Sequence, residues 1–141
     1  MIIDITNKLF EYSNHYITIR IDNNIRSPAY SIIEKCISGR HTPTIIINEH
    51  LLFEDENVIA HVLAHEWGHH VCKHMTARHL NIQNSSLPIE ESDEERQKKE
   101  NEADLYARNF IEKYSYNTIP IIEFIKKYPI DFENRLDILI G

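Results

Sequence analysis

The segment from His65 to His69, with the sequence H-E-W-G-H, places two histidines four residues apart with a glutamate directly after the first. In an α-helix such a pair lies one turn apart, offset by roughly 40° and about 6 Å along the axis. Both imidazoles can therefore bind one Zn²⁺ at the ~2.0–2.1 Å that nitrogen ligands require. Glu66 lies roughly 100° around the helix from His65 and can act as general base on a metal-bound water. The pattern predicts a helix that carries a metal site with a base beside it.

A histidine-rich amphipathic helix is the alternative explanation of this segment. The chain has nine histidines, and the pairs His61 with His65 and His70 with His74 have the same spacing. Only the pair His65 and His69 has a glutamate directly after its first histidine. A catalytic zinc site also needs a third protein ligand and leaves a fourth position for water. The rest of the chain therefore decides between the two explanations.

A candidate third ligand lies in the run Glu100-Asn101-Glu102-Ala103-Asp104, within a long helical stretch that follows a polar loop. Glu100 and Asp104 share one face of that helix. Glu100 can bind the metal while Asp104 accepts the N–H of a ligating histidine and fixes its tautomer, and Ala103 lets two helices approach closely. Glu102 projects roughly 200° from Glu100, so only one of the two can face the site. The alternative is that the acidic run is a solvated charged face, as most such runs are.

The residues around both motifs resemble those of a known group of enzymes. Val58 to Val71 is similar to the active-site helix of the gluzincin metallopeptidases related to the CAAX prenyl protease and HtpX, which has the form V-L-A-H-E-x-G-H. Glu100 to Asp104 matches the E-x-x-A-D ligand helix of that family. Weaker matches flank these two. They are Ser27 to Tyr30, Thr44 to Asn48 with the following Glu49 to Leu52, and Tyr128-Pro129 with Arg135-Leu136.

The resemblance implies a zinc metallopeptidase of the small soluble kind called minigluzincins, which keep only the catalytic core and lack the membrane-spanning helices of larger relatives. It implies one Zn²⁺ on His65, His69 and Glu100, with Glu66 as the base. Tyr128 stands where the family commonly has a histidine; either it donates to the scissile carbonyl in place of the histidine, or that function is lost. Some minigluzincins are latent zymogens, so latency stays open here.

Composition is consistent with a protein of this kind. The 141 residues predict one domain, residues 1–141, and no apolar stretch approaches the roughly 18–20 residues that span a bilayer. The start, Met1 to Asp4, lacks the basic region of a signal peptide. Cys36 and Cys72 form no C-x-x-C pair and are interpreted as buried free thiols in a reducing compartment, which predicts the cytoplasm. The formal charge of −7 argues against nucleic acid as the main partner.

Periodicity and capping residues predict an α+β fold, in which a small mixed or antiparallel sheet packs on two central zinc-binding helices with additional short helices at both ends. Asp55 or Asn57 caps the active-site helix, and Ser92 with Glu95 forms a capping box for the ligand helix. The predicted helices are Ile2 to Tyr12, Tyr30 to Ser38 closed by Gly39, Asp55 to about His74, Ser92 to Tyr114, Thr118 to Pro129 and Phe132 to Leu139; the predicted strands are Tyr16 to Ile21 and Thr44 to Asn48.

From this placement we expect hydrolysis of a peptide or protein substrate. Zn²⁺ lowers the pKa of its bound water, and Glu66 takes the proton as the water attacks a peptide carbonyl, then delivers it to the leaving amine. A strand at the edge of the sheet above the cleft is expected to pair with the substrate backbone. That strand consists of Thr44, Ile45, Ile46, Ile47 and Asn48.

Two other functions fit the same motifs. A non-catalytic zinc-binding regulatory or interaction protein would close the site with a fourth protein ligand, for which His61, Cys72 and His74 are candidates. A regulatory peptidase would instead cleave one dedicated partner. Glu66 argues against the first of these, because a structural zinc site needs no base.

Overall fold

The structure is a computed structural model that describes residues 1–35, 37–74, 80–81, 92–127 and 132–140. The fold is α+β, as the sequence predicted. In chain order its elements are α1 (Ile2–Ser13), β1 (Thr18–Ile21), β2 (Ala29–Lys35), β3 (His41–Ile47), a 3-10 helix (Glu49–Phe53), α2 (Glu56–Val71), β4 (Leu80–Asn81), α3 (Asp93–Lys113), α4 (Thr118–Lys126) and α5 (Phe132–Ile140).

The sheet is mixed and has the strand order β1-β3-β2-β4. Strand β3 is parallel to β1, with Thr18 opposite Thr44, and antiparallel to β2, with Ala29 opposite Ile47. The short strand β4 adds to the other side of β2 in parallel. Strand β3 therefore lies inside the sheet, with a partner strand on each side.

The segment from Tyr30 to Ser38 was predicted to be a helix, and that prediction is wrong, because most of it forms β2. The β-branched side chains of Ile32 and Ile33 favour a strand, and β2 pairs with β3 over its whole length. Gly39, with a φ of 86°, lies in the connection between these two strands instead of capping a helix. The local sequence pattern fits either a helix or a strand, and pairing with β3 selects the strand.

Helix α2 ends at Val71, earlier than the sequence predicted. Lys73 adopts a φ of 58°, its N–H donates to the carbonyl of His70 at 3.1 Å, and the N–H of His74 donates to the carbonyl of His69 at 2.9 Å. These two bonds around a left-handed residue are a Schellman ending, for which glycine is the usual residue. The turn folds His74 back beside the last turn of α2.

Helix α2 contacts β2 and β3 and also packs along α3. At Gly68 an added Cβ would lie 3.0 Å from the Cβ of Tyr106, so a glycine lets the two helices approach closely. Ala103 on α3 is fully buried. Helix α3 begins where Ser92 accepts the N–H of Glu95 at 3.1 Å, which is one half of the predicted capping box. The helix motifs of the sequence therefore lie on two adjacent helices.

The hydrophobic core surrounds α2 with residues from α1, β3, α3 and α4. Trp67 and Phe110 are its largest fully buried side chains, and the indole N–H of Trp67 donates to Ser13 Oγ at 2.8 Å. Because core residues occupy most sides of α2, His65 and His69 are buried with them.

Candidate metal centre

Helices α2 and α3 bring three predicted ligand atoms together. His65 Nε2 lies 3.2 Å from His69 Nε2, 3.0 Å from Glu100 Oε2, and His69 Nε2 lies 3.4 Å from Glu100 Oε1. Zinc bonds of ~2.0–2.1 Å in a tetrahedron place neighbouring ligand atoms roughly 3.3 Å apart. The three side chains could therefore hold one metal ion without a change of position.

Contacts on the far side of each ring bear on which nitrogen faces the centre of the site with a lone pair. His65 Nδ1 lies 2.7 Å from Asp104 Oδ1, and a carboxylate can only accept, so the ring carries a proton on Nδ1. His69 Nδ1 lies 3.0 Å from His74 Nδ1, and with His69 as the donor its Nε2 also presents a lone pair. Two ring nitrogens and a carboxylate that converge in this way form a point at which a cation would be stabilised.

The pKa values of His65 and Glu100 are both shifted in the direction that favours positive charge on His65 and negative charge on Glu100. Burial lowers the pKa of His65, but hydrogen bonds to Asp104 and Glu100 outweigh it and raise the pKa to about 10. At Glu100 burial raises the pKa, but the contacts with His65 and His69 outweigh it and hold the pKa far below its usual value. Both shifts favour positive charge among these three side chains, which is the charge that a divalent ion would bring.

Asp104 is itself fixed by an arginine from α5. Arg135 Nε donates to Asp104 Oδ2 at 3.1 Å, and its terminal nitrogen donates to Oδ1 at 3.2 Å. At Asp104 burial raises the pKa, but the hydrogen bond to His65 and the charge of Arg135 lower it to about 2. The carboxylate therefore stays ionised and keeps the His65 proton on Nδ1.

Glu66 projects beside the three ligand atoms instead of joining them. Its Oε2 lies 3.9 Å from His65 Nε2. The other oxygen, Oε1, accepts from Ser31 Oγ at 2.8 Å, and the same hydroxyl lies 2.9 Å from the backbone carbonyl of Glu66. Ser31 is buried on β2. Ser31 was not among the predicted site residues, because its segment was predicted to be a helix.

His69 has its own supporting side chains, which sequence reasoning did not assign. With the His69 proton on Nδ1, His74 accepts it and donates its Nε2–H to Glu102 Oε2 at 2.8 Å. Glu100 and Glu102 thus point in different directions, and it is Glu100 that lies against His65 and His69. His74 and Cys72 were both candidate fourth ligands. The Schellman turn places His74 behind His69, and Cys72, which was predicted to be buried, is exposed.

The strand predicted to bind substrate is not at an edge of the sheet, and that prediction is wrong. Residues Thr44, Ile45, Ile46 and Ile47 pair with β1 on one side and β2 on the other. Thr44 also contributes its carbonyl oxygen, 2.9 Å from His70 Nε2. The error follows from the helix predicted over Tyr30 to Ser38, since without β2 the strand ending at Asn48 had no partner on that side.

The remaining predicted residues do not join the cluster. Tyr128, expected to polarise the scissile carbonyl, lies outside the described residues, as does Cys36. His61 is buried on α2 but is not grouped with the three ligand atoms. Burial lowers the pKa of His61 to about 3, so its ring is neutral at physiological pH.

In comparisons with known proteins, no family model, no curated protein and no solved structure matches this chain. The resemblance to the gluzincins therefore stays a prediction from the sequence motifs. Among the residues that the structure describes, no helix is long and apolar enough to span a bilayer.

Proposed function

We propose that this chain is a zinc-dependent metallopeptidase, with zinc on His65, His69 and Glu100. The observation that carries the proposal is the set of distances of 3.0–3.4 Å among three ligand atoms, with the Glu66 carboxylate 3.9 Å from one of them. The Glu100 side chain is 47 % exposed, whereas those of His65 and His69 are 10 % and 9 % exposed. A metal held here would be anchored from the interior and open on the side of Glu100.

Zinc bound at this point supplies a water whose pKa lies near neutrality and polarises a carbonyl oxygen. Glu66 would be the base that accepts a proton when the water attacks a peptide carbonyl, and it would return the proton to the leaving amine. Ser31 holds one oxygen of Glu66 so that the other faces the site. Asp104, oriented by Arg135, keeps His65 in the tautomer that presents Nε2.

The proposed substrate is a peptide or protein that pairs with β2. On the side away from β3, the only partner of β2 within the described residues is β4, opposite Ile33 and Glu34. Ala29 to Ile32 therefore leave backbone groups on that side without a partner strand in this part of the chain. Ser31, within this stretch, donates a hydrogen bond to Glu66. A substrate strand added along β2 would therefore pass beside the base.

A non-catalytic zinc-binding regulatory or interaction protein that uses the same three ligands is the second candidate. Such a site would be closed by four protein ligands. In the described residues His61, Cys72 and His74 do not join the first three ligands, and the Glu66 carboxylate lies 3.9 Å from His65 Nε2. The arrangement favours a site that keeps a position for water.

The proposal also places the protein in the cytoplasm, where the free thiol of Cys72 stays reduced.

The test measures zinc content and cleavage of an unfolded protein substrate in the same samples. Glu66→Gln should keep the zinc that survives dialysis and lose activity by about 10²–10⁴-fold, as expected for a general base. Glu100→Gln should lose both. Glu112→Gln is the matched control, because Glu112 is an exposed acid on the same helix, and it should resemble wild type.

Two results would contradict the proposal. A zinc-loaded Glu66→Gln protein that cleaves at the wild-type rate would refute the role of Glu66. A wild-type protein that binds zinc but cleaves nothing would support the non-catalytic candidate. A pull-down with zinc-loaded Glu66→Gln then separates a dedicated peptidase, which retains one uncut partner, from a protein that has no substrate.

A further inference from the structure

We propose that Cys72, His74 and Glu102 form a second cation site, for a zinc-like divalent ion, beside the site already described. Their thiol sulfur, one ring nitrogen and one carboxylate oxygen all lie within 4.8 Å of one another. The site itself does not depend on peptidase activity, and only its effect on the first metal rests on the proposed function.

The Schellman ending of α2 builds this cluster. It places Cys72 directly after the helix and turns His74 back, so that His74 Nε2 lies 2.8 Å from Glu102 Oε2 on α3. The ring of His74 is buried, at 5 % exposure, while the Glu102 side chain is 43 % exposed and Cys72 is exposed. One ligand is thus anchored and the other two are reached from solvent.

The chemistry of the three side chains selects the ion. Zinc bonds of ~2.3 Å to sulfur and ~2.0–2.2 Å to nitrogen or oxygen place ligand atoms roughly 3.3–3.6 Å apart. The present separations reach up to 4.8 Å, so the solvent-accessible Cys72 and Glu102 side chains would have to move closer together when an ion binds. A thiolate with an imidazole suits zinc or the softer cadmium, whereas magnesium and calcium prefer oxygen ligands alone.

Occupancy of the second site should weaken the first through the contact between His69 and His74. His69 Nδ1 lies 3.0 Å from His74 Nδ1, and His74 Nε2 lies 2.8 Å from Glu102 Oε2. An ion that binds His74 would change the position of the ring behind His69, and so the contact that orients His69 toward the first site. Loss of such an orienting contact typically lowers metal affinity 10–100-fold.

Metal titration of the metal-free protein tests the site. Wild type should bind two equivalents of zinc, and Cys72→Ser should bind one. Cys36→Ser, the same change at the other cysteine, is the matched control and should bind two. With cadmium, the ultraviolet thiolate charge-transfer band should appear in wild type and Cys36→Ser and be absent from Cys72→Ser.

Glu102→Gln gives a second variant that keeps the thiol and should weaken the second equivalent. A wild-type protein that binds a single equivalent, or a Cys72→Ser protein with wild-type stoichiometry and cadmium band, overturns the second site. In Cys72→Ser the remaining equivalent should disappear on adding Glu100→Gln. If this equivalent persists in the double variant, the first zinc is not bound by Glu100, and the assignment of the second site does not change.

The antagonism has its own measurement, the exchange of the tightly held zinc with isotopically enriched zinc followed by mass spectrometry. Saturating zinc should speed this exchange by about tenfold or more in wild type and Cys36→Ser, in line with the loss of an orienting contact. Cys72→Ser should show no acceleration. Equal exchange rates in wild type at low and saturating zinc overturn the coupling between the two sites.

Discussion

Asp104 Oδ1 accepts the Nδ1–H of His65 at 2.7 Å, and only 4 % of the Asp104 side chain is exposed. A buried carboxylate on the back of an imidazole fixes both the orientation of the ring and the nitrogen that carries the proton. The pair joins α2 to α3 at the point where the two helices supply their ligand atoms. Its effect on metal binding can be measured without any knowledge of the substrate.

Asp104→Asn should lower zinc affinity about 10–100-fold, as for other groups that orient a ligating histidine. The amide can turn its N–H₂ toward His65 Nδ1, which would shift the ring proton to Nε2. Competition with a zinc chelator measures the change. Asp93→Asn, an exposed acid at the start of the same helix, should leave the affinity unchanged; an equal loss in both variants would contradict the role of Asp104.

Ser31→Ala should reduce cleavage about tenfold to a hundredfold while zinc content stays at the wild-type level. The hydroxyl holds Glu66 Oε1 at 2.8 Å, and a hydrogen bond to a charged group contributes about 1.5–3 kcal/mol. Ser38→Ala, at an exposed position after β2, is the control. A parallel loss of zinc would show that Ser31 supports the fold and not the position of Glu66.

His61 should make the fold sensitive to acid. Burial lowers its pKa from 6.5 to about 3, so between these values the unfolded chain binds a proton there that the folded chain does not. The free energy of unfolding should therefore fall by about 1.4 kcal/mol per pH unit as pH decreases through this window. Above pH 6.5 both states are neutral at His61, and it contributes no pH dependence.

Urea unfolding of His61→Gln at several pH values measures this contribution. The variant should show a shallower loss of stability with decreasing pH than wild type, whatever its stability at neutral pH. His15→Gln, at an exposed histidine, should keep the wild-type slope. Identical slopes in wild type and His61→Gln would exclude His61 as a source of acid sensitivity.

Gly68→Ala should destabilise the protein by about 1–2 kcal/mol. The added methyl group would meet Tyr106 Cβ at 3.0 Å, and overpacking of this kind costs about 1–3 kcal/mol, of which alanine regains up to about 1 kcal/mol as a better helix former. Urea unfolding measures the difference. A Gly68→Ala protein more stable than wild type would mean that α2 and α3 can move apart at this point without a loss of stability.

The sequence was sufficient where a short local pattern determines the structure. The spacing of His65 and His69 on one helix face, the position of Glu100 and Asp104 on another, and the cap at Ser92 all depend on neighbours within one or two turns. Helices α1, α2, α3, α4 and α5 were all predicted, with ends displaced by a few residues. The roles in metal binding and catalysis stay predictions until zinc content and cleavage are measured.

The parts that could not be predicted depend on contacts between distant residues. The strand β2 carries isoleucines that fit either a helix or a strand, and only its pairing with β3 decides. Once β2 was missed, Ser31 could not be placed beside Glu66 and the substrate strand was assigned to β3. The support of His69 by His74 and Glu102 required a left-handed turn at Lys73, where no glycine signals one.

The contact between Arg135 and Asp104 has a consequence for the order in which the protein matures. Both histidines and Glu100 leave the ribosome before α5, so a nascent chain contains every proposed ligand while the carboxylate behind His65 still lacks Arg135. A metal ion at the proposed site would be held most tightly only after α5 docks, and an ion captured during translation would be held loosely until then.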